Sequence, residues 1–199
     1  MNTSTGEPEE STRDRILQAA VTIFAEQGYH GAGMSDIGKA ANIQRGALYY
    51  HIGSKEELLY DLTRRHVEAA LEAGRVAIRG VEDPVQQFRA LARAHIRTLS
   101  ERRADVTVAE REMHVLTGER AHALAKLRRE YQDLFEEVLT RGVAQGAFAR
   151  ATRIDVMGVL GLLNYTYMWL DPQGSEPVDT VADRLSSLVL DGVRVREGE

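Results

Sequence analysis

Apolar residues recur along this chain at helical spacing from shortly after its start. The first run begins at Ser11, which has capping-box spacing to Asp14, and ends near Gly28, a residue able to adopt the left-handed C-cap conformation. Its inward positions are Ile16, Ala20, Ile23 and Phe24, widened by Leu17 and Val21. The pattern predicts an amphipathic first helix over residues 11–28.

The next stretch is shorter and more broken. It predicts one helix over residues 34–41 and a second over 44–51. Asn42 lies between them and tolerates the positive φ of a tight turn. Ser54 then begins a longer helix, because residues 54–57 fit a capping box and the leucine pattern continues towards Ile78.

The remaining chain keeps the helical period. We predict further helices over residues 84–101, 105–116, 119–142, 155–170 and 178–195, the last with Val193 facing inward, and a turn at 171–174. Since no run alternates polar and apolar residues as a strand does, the sequence predicts an all-α fold of about nine helices.

Composition narrows the class of protein. Of 199 residues, 43% are hydrophobic and 28% charged, which is an ordinary globular balance. The absence of cysteine excludes thiol nucleophiles, cysteine-ligated zinc and iron–sulfur clusters, and it suits a reducing cytoplasm. Residues 1–10 are polar and acidic, so we expect a flexible tail and no targeting signal. The longest uncharged stretch, 156–170, is shorter than the roughly 20 residues of a bilayer span, so we expect a cytoplasmic protein with no membrane partner.

Two short helices with a tight turn between them, braced by a helix on each side, have the geometry of a helix-turn-helix. Residues 28–37 (GYHGAGMSDI) and 41–59 (ANIQRGALYYHIGSKEELL) resemble the TetR family of bacterial transcription regulators almost throughout. The resemblance covers about residues 11–60, and the rest matches the family mainly in length and helix pattern. The departures are Gly33 for a Thr cap, Asn42 for Gly, Gln44 for Ser and Ile52 for Phe.

The second short helix is the one expected to enter the major groove. Gln44 and Arg45 lie at its start and can reach base edges, since Gln pairs with adenine and Arg with guanine. Gly46 and Ala47 are small and let the helix approach the groove floor. Ser35 begins the supporting helix and can touch a phosphate or a base.

Phosphate contacts are expected just beyond these residues. Tyr49, Tyr50 and His51 carry donors, and Lys55 lies in the first turn of the helix capped by Ser54. Between residues 28 and 55, three cations face one anion, a local charge of +2 in a chain of net charge −5. Taken singly, Tyr49 also fits core packing, and Arg45 and Lys55 also fit a solvated surface. Joined in one segment, they favour DNA binding.

The resemblance implies a helix-turn-helix domain over residues 11–56 and a ligand-binding, dimerising domain over 57–199. In the family the last two long helices form the dimer. The sequence fits this arrangement, because Gly158 and Gly161 permit close helix approach and the last helix carries an apolar stripe with Leu185 and Leu188. The alternative is that both helices pack only within one chain.

Candidates for an effector pocket are aromatic, flexible or polar residues on otherwise apolar faces. They are His95, Met113, Tyr131, Phe135, Asn164, Tyr165, Met168 and Trp169. Each of them, taken alone, also fits ordinary core packing. Glu110 and His114 are four residues apart on one helical face, but without a third obvious ligand we assign no metal, and nothing in the sequence indicates a cofactor.

Residues 168–174 (MWLDPQG) are similar to a Trp-x-x-Pro-x-Gly stretch in TetR-type regulators of lipid and sterol catabolism, whose effectors are acyl-CoA thioesters. A small hydrophobic effector such as an acyl-CoA is therefore our leading candidate. Four arginines after Pro84 have the spacing to meet its phosphates, although a solvated basic face is favoured. They are Arg89, Arg93, Arg97 and Arg102.

Together these features predict a dimeric transcription regulator, most simply a repressor released from a pseudo-palindromic operator by its effector. One alternative is a helical DNA-binding regulator without a small-molecule ligand. The other is a helical enzyme using a cavity in residues 57–199. The sequence carries no glycine-rich phosphate loop and no nucleophile elbow, so we predict that the protein is not an enzyme.

Overall fold

The computed structural model describes residues 11–193, and its elements are helices. The α-helices are α1 (Thr12–Gly31), α2 (Met34–Ala40), α3 (Arg45–His51), α4 (Lys55–Ile78), α5 (Pro84–Glu101), α6 (Arg103–Glu112), α7 (Gly118–Ala144), α8 (Arg153–Asn164), α9 (Thr166–Trp169) and α10 (Val178–Val193). Within the described residues nine of these exceed a single turn, which confirms the predicted all-α fold. Three predictions lie outside what the structure describes: the tail at 1–10, the inward placement of Val193 and the end of the last helix beyond residue 193.

The ends of the N-terminal helices follow local sequence signals. Ser11 and Ser54 cap α1 and α4, accepting hydrogen bonds from the backbone N–H of Asp14 at 3.1 Å and of Glu57 at 3.0 Å. Asn42 has a φ of 54° in the turn between α2 and α3. Gly28 has a φ of 72° and interrupts α1 three residues before its end, as its expected C-cap role requires.

The prediction of one apolar helix over residues 155–170 is wrong. The structure has α8 ending at Asn164, a turn at Tyr165 and the single-turn helix α9. The buried hydroxyl of Thr166 donates to the carbonyl of Leu163 at 2.7 Å, a local bond that competes with regular helical bonding. The stretch is uncharged and keeps the helical period, so the sequence pattern did not indicate this break.

Helix α4 is the axis of the molecule, since it packs against α1 on one side and against α5, α6 and α7 on the other. Its Leu58 and Leu59 are fully buried. The buried apolar side chains form one continuous core from Ile16 in α1 to Leu190 in α10. The N-terminal helices therefore share a core with the rest of the chain.

The arginine row of α5 holds the last helix. Arg93 pairs with Asp183 at 2.5 Å, Arg97 Nε donates to Asp179 at 2.6 Å, and Arg89 donates to Ser187 at 3.2 Å. These arginines are half-buried or exposed, but their partners lie on α10, so they do not form a free basic face. The interface between α10 and α5 therefore has polar contacts at its exposed edge and apolar side chains in its buried part.

Candidate nucleic-acid interface and effector cavity

Helix α3 presents one exposed face. Leu48 is 1% exposed and anchors the helix, whereas Tyr50 is 86% exposed. The predicted contact residues Gln44, Arg45, Gly46, Ala47 and Tyr49 share this exposed surface, with His51 partly buried at its end and Ser35 exposed at the start of α2. The structure therefore brings together the side chains predicted to meet bases and phosphates.

The close approach of α2 to α3 depends on a residue that sequence reasoning missed. Gly38 is buried, and a Cβ at this position would lie 3.3 Å from both the carbonyl oxygen of Ile43 and Cδ2 of Leu48. A larger side chain would push α3 away from α2. A glycine inside a short helix, where it is intrinsically unfavourable, was the available signal.

Arg13 ties the end of α3 to α4. Its guanidinium donates to the carbonyl of His51 at 2.7 Å and pairs with Glu57 at 3.1 Å and with Asp61. The planar Arg13 guanidinium thus binds the last carbonyl of α3 and two carboxylates of α4 at the same time. Sequence reasoning also missed this residue, because its partners lie 38 to 48 positions away.

Lys55 differs from its predicted role as a free phosphate contact. Its ammonium donates to the carbonyls of Tyr29 at 2.7 Å and Ala32 at 2.9 Å, and it lies 4.4 Å from the centre of the Tyr29 ring. Two of its three donors are therefore used within the protein. Lys55 fixes the connection between α1 and α2, and these two bonds leave one of its donors unused.

Tyr29 is also held from the opposite side. Its backbone N–H donates to Glu112 Oε1 at 3.1 Å, and Glu112 is a buried residue at the end of α6. The positive φ of Gly28 turns the chain so that this N–H points away from α1. One residue of the helix-turn-helix thus meets both α4 and α6.

A cavity of about 50 Å³ lies among α4, α5, α6, α7 and α8. Its apolar wall is formed by Val67, Ala70, Leu99, Ala109 and Leu160, and its polar wall by His66, His95, Glu110, Arg128, Tyr131, Gln132 and Asn164. Arg128 and Glu110 approach within 3.5 Å and are partly exposed, so they mark its solvent side.

Two buried histidines dominate the polar wall. Burial lowers the pKa of both His66 and His95 to about 4, so both rings are neutral at pH 7. For His95 the nearby His66 lowers the pKa further, whereas Asn164 opposes the shift. His95 Nδ1 lies 2.6 Å from the hydroxyl of Tyr131. His95 Nε2 and His66 Nδ1 are buried with no hydrogen-bond partner.

The structure separates the predicted effector residues. His95, Tyr131 and Asn164 meet at the cavity. Phe135 is fully buried behind it, with its ring edge-on to Tyr131, and the sulfur of Met113 accepts from Arg128 at 3.4 Å. Tyr165, Met168 and Trp169 are exposed on the surface, and the first two continue, at helical spacing, the exposed face of α8 that begins at Ile154. His66 was missed, although it falls in phase with the buried Leu59 and Leu62 of α4.

The structure also addresses the sequence-based expectations about metal binding and membrane-spanning helices. Within residues 11–193, no three His, Asp or Glu side chains converge as a metal would require, and Glu110 is engaged with Arg128. Every helix in the described part of the chain is too short or too polar to cross a membrane.

A second exposed surface is apolar. On α8 it contains Ile154, which is 83% exposed, together with Met157, Gly158 and Gly161, and on α10 it contains Leu188, which is 63% exposed. A Cβ at either glycine would meet nothing within 4 Å in the same chain. The two helices to which the family resemblance attributes dimerisation therefore carry an uncovered apolar face.

Both parts of the chain match known families. Residues 16–62 match the family described as bacterial regulatory proteins, tetR family, and residues 81–193 match the tetracyclin repressor-like C-terminal domain. The transcriptional repressor KstR2 of Rhodococcus jostii (strain RHA1) is 32% identical over 186 residues, which cover 91% of this chain and 90% of that protein.

Solved structures share the architecture. The TetR family regulator PfmR from Thermus thermophilus superposes with a TM-score of 0.84 at 31% identity, covering 92% of this chain and 100% of that one. AibR, solved in complex with isovaleryl coenzyme A and operator DNA, gives a TM-score of 0.81 at 24% identity, covering 89% of this chain and 97% of that one. At this sequence identity, the similarity to AibR shows a shared fold.

Proposed function

Because the chain belongs to the TetR family of bacterial regulatory proteins, a family of DNA-binding regulators rather than enzymes, we propose that it is a homodimeric repressor released from operator DNA by a small effector. Residues 11–56 bind DNA, and the residues from 57 onward bind the effector and the second subunit. KstR2, at 32% identity, is named as a repressor, which supports this direction of control.

The exposed face of α3 carries the proposal. A helix with one buried anchor, Leu48, and an outward row of amide, guanidinium and phenol groups has the chemistry to read base edges and bind phosphates. Arg45 also lies 5.9 Å from the Tyr49 ring centre, which restricts its orientation. Gln44 and Arg45 are the proposed base contacts, and Ser35, Tyr49, Tyr50, His51 and the remaining donor of Lys55 are the proposed phosphate contacts.

The apolar face of α8 and α10 supports the dimer. Two copies related by a two-fold axis would bury Ile154, Met157 and Leu188 and place glycine edges at the closest approach. A two-fold dimer presents two recognition helices to the two halves of a pseudo-palindromic operator.

The cavity is the proposed effector site. Its volume of about 50 Å³ holds only a few atoms, at roughly 10–15 Å³ for one water, so it accepts the end of a ligand whose remainder passes Arg128 and Glu110. An acyl-CoA has this form, a compact acyl end on a large anionic carrier. The AibR complex with isovaleryl coenzyme A supports that class.

Two helices connect the proposed sites. Helix α6 contributes Glu110 to the cavity wall and Glu112 to Tyr29, and α4 contributes His66 to the wall and Asp61 to Arg13. An effector that favours a different position of either helix shifts the spacing of the two recognition helices.

A gel-shift titration on the DNA beside the gene tests the proposal. We expect a specific complex of one dimer at moderate salt, with affinity falling steeply as salt rises. Addition of short acyl-CoA thioesters should release it. A confirmed dimer that shows no preference for any duplex would refute the regulator, and a specific complex indifferent to every thioester would refute the effector class alone.

A further inference from the structure

Two histidines that line the cavity each carry a buried ring nitrogen with no hydrogen-bond partner in the protein. His66 Nδ1 and His95 Nε2 are buried in side chains that are 7% and 3% exposed, and neither has a partner. Both rings line the same cavity, one from α4 and one from α5. Buried polar atoms without partners are uncommon in native proteins, so these two require a ligand or water.

An alkyl chain is a poor occupant of this cavity. It would leave both imidazole nitrogens unsatisfied after excluding water from them, which costs free energy. The Tyr131 hydroxyl is already engaged, because it lies 2.6 Å from His95 Nδ1, and the Asn164 amide, which raises the pKa of His95, leaves His66 Nδ1 without a partner. A straight saturated acyl terminus therefore fits the apolar wall and conflicts with the polar one.

A charged group is also a poor occupant of the buried end. Burial opposes protonation of both histidines, and the one cation that lines the cavity, Arg128, faces Glu110 at its solvent side. A carboxylate would lose its hydration without gaining an opposite charge. An uncharged oxygen loses little hydration and can accept from one imidazole, and a hydroxyl can also donate to the other.

We infer that the buried end of the effector is an uncharged carbonyl or hydroxyl group held by His66 and His95, on a short or ring-shaped carbon skeleton of a few atoms. The inference rests on the proposed effector site and specifies the chemistry of that site. His66 and His95 are then binding residues that distinguish oxygenated from saturated acyl groups.

Matched probe pairs test this inference. Acetoacetyl-CoA and butyryl-CoA have equal chain length and differ in one oxo group, and cyclopentanone and cyclopentane repeat the comparison without coenzyme A. We expect calorimetry and thermal shift to show the oxygenated member binding about tenfold more tightly, the effect of one satisfied hydrogen bond. Equal or tighter binding of the saturated members would overturn the inference, as would a cyclopentanone that does not bind.

Variants assign the preference to the histidines. In His66→Leu the oxygenated probe should lose its advantage, whereas His66→Asn, which keeps polar atoms, should retain part of it. The thermal midpoint of His66→Leu without ligand should equal or exceed that of the native chain, since an unsatisfied buried polar group is removed. A large drop in that midpoint, or a preference that survives both His66→Leu and His95→Leu, would contradict a binding role.

The proposed acyl-CoA effector and the inferred oxygen-binding site can be refuted independently. If cyclopentanone is preferred but no thioester releases the operator, the acyl-CoA class is wrong and the oxygen-binding site stands. If thioesters release the operator with no preference for the oxo group, the regulator stands and this inference is wrong.

Discussion

The carboxylate of Glu112 accepts the backbone N–H of Tyr29 across 83 positions of sequence, joining the end of α6 to the turn after Gly28. Because Glu112 is buried, this bond is shielded from water. It is a direct polar link from a helix of the cavity to the DNA-binding helices.

Removing the acceptor should uncouple these two regions. We expect Glu112→Leu to lower the free energy of unfolding by about 1.5–3 kcal/mol, because the Tyr29 N–H loses a charged partner. Urea denaturation measures this cost. Glu112→Gln keeps an acceptor oxygen and serves as the control. Equal stability of Glu112→Leu and the native chain would show that the bond contributes nothing.

Arg13 should position the recognition helix without touching DNA. Arg13→Gln frees the carbonyl of His51 and removes a partner of Glu57 and Asp61, so we expect faster amide exchange in α3 and the start of α4 and operator affinity weaker by about 1 kcal/mol. The slope of affinity against salt should stay constant, because no phosphate contact is lost. Arg15→Gln, on the exposed face of the same helix, is the matched control. A slope reduced by about one in Arg13→Gln would instead identify Arg13 as a phosphate ligand.

The buried histidines should make the protein sensitive to acid. Their pKa values in the folded state are about 4 against 6.5 when unfolded, so the unfolded chain binds more protons between these limits. Stability therefore falls as pH decreases from 6.5 towards 4, by about 1.4 kcal/mol per pH unit for each ring. Denaturation at several pH values measures the slope. The His66→Leu/His95→Leu double variant should flatten it, and a native chain of constant stability across this window would oppose the assignment.

The residues proposed to read bases and those proposed to bind phosphates should differ in their effect on specificity. Arg45→Ala should cost about 1–3 kcal/mol on the operator and relax the preference at one base position. Tyr50→Phe removes a hydroxyl from an 86% exposed side chain and should weaken all sequences alike. Competition binding with single-base operator variants separates the two patterns. Loss of discrimination in Tyr50→Phe would reverse the roles.

The apolar face of α8 should be required for association. Ile154→Asp places a charge on a side chain that is 83% exposed in one protomer, so the fold should persist while the dimer dissociates. Sedimentation equilibrium and operator affinity should change together. Val76→Asp makes the same exchange at an exposed apolar residue of α4 and should leave the dimer intact. A dimeric Ile154→Asp protein would place the interface elsewhere.

Local signals predicted the helices well because the chain is amphipathic along almost its whole length. Pro84 to Glu101 agrees at both ends, and the caps at Ser11 and Ser54 form as their sequences indicate. The break at Tyr165 was not predicted, because it falls inside an uncharged stretch of helical period that contains no proline.

The site was only partly predictable for a different reason. The outward residues of α3 follow from the motif, since one helix orders them. Lys55 and Arg13 depend on carbonyls and carboxylates brought close by tertiary packing, 23 to 48 positions away. The cavity requires five helices to converge, and no local pattern indicates which of several histidines faces it.

The continuity of α4 limits how this regulator can be divided. The proposed boundary after residue 56 falls within the first turn of a helix that runs from Lys55 to Ile78. A DNA-binding fragment that ends there would lose Leu58, Leu59 and Leu62 from its core, together with the carboxylates that hold Arg13. Chimeric regulators that exchange sensing halves should therefore be joined in the loop between α4 and α5, so that the DNA reader retains its own α4.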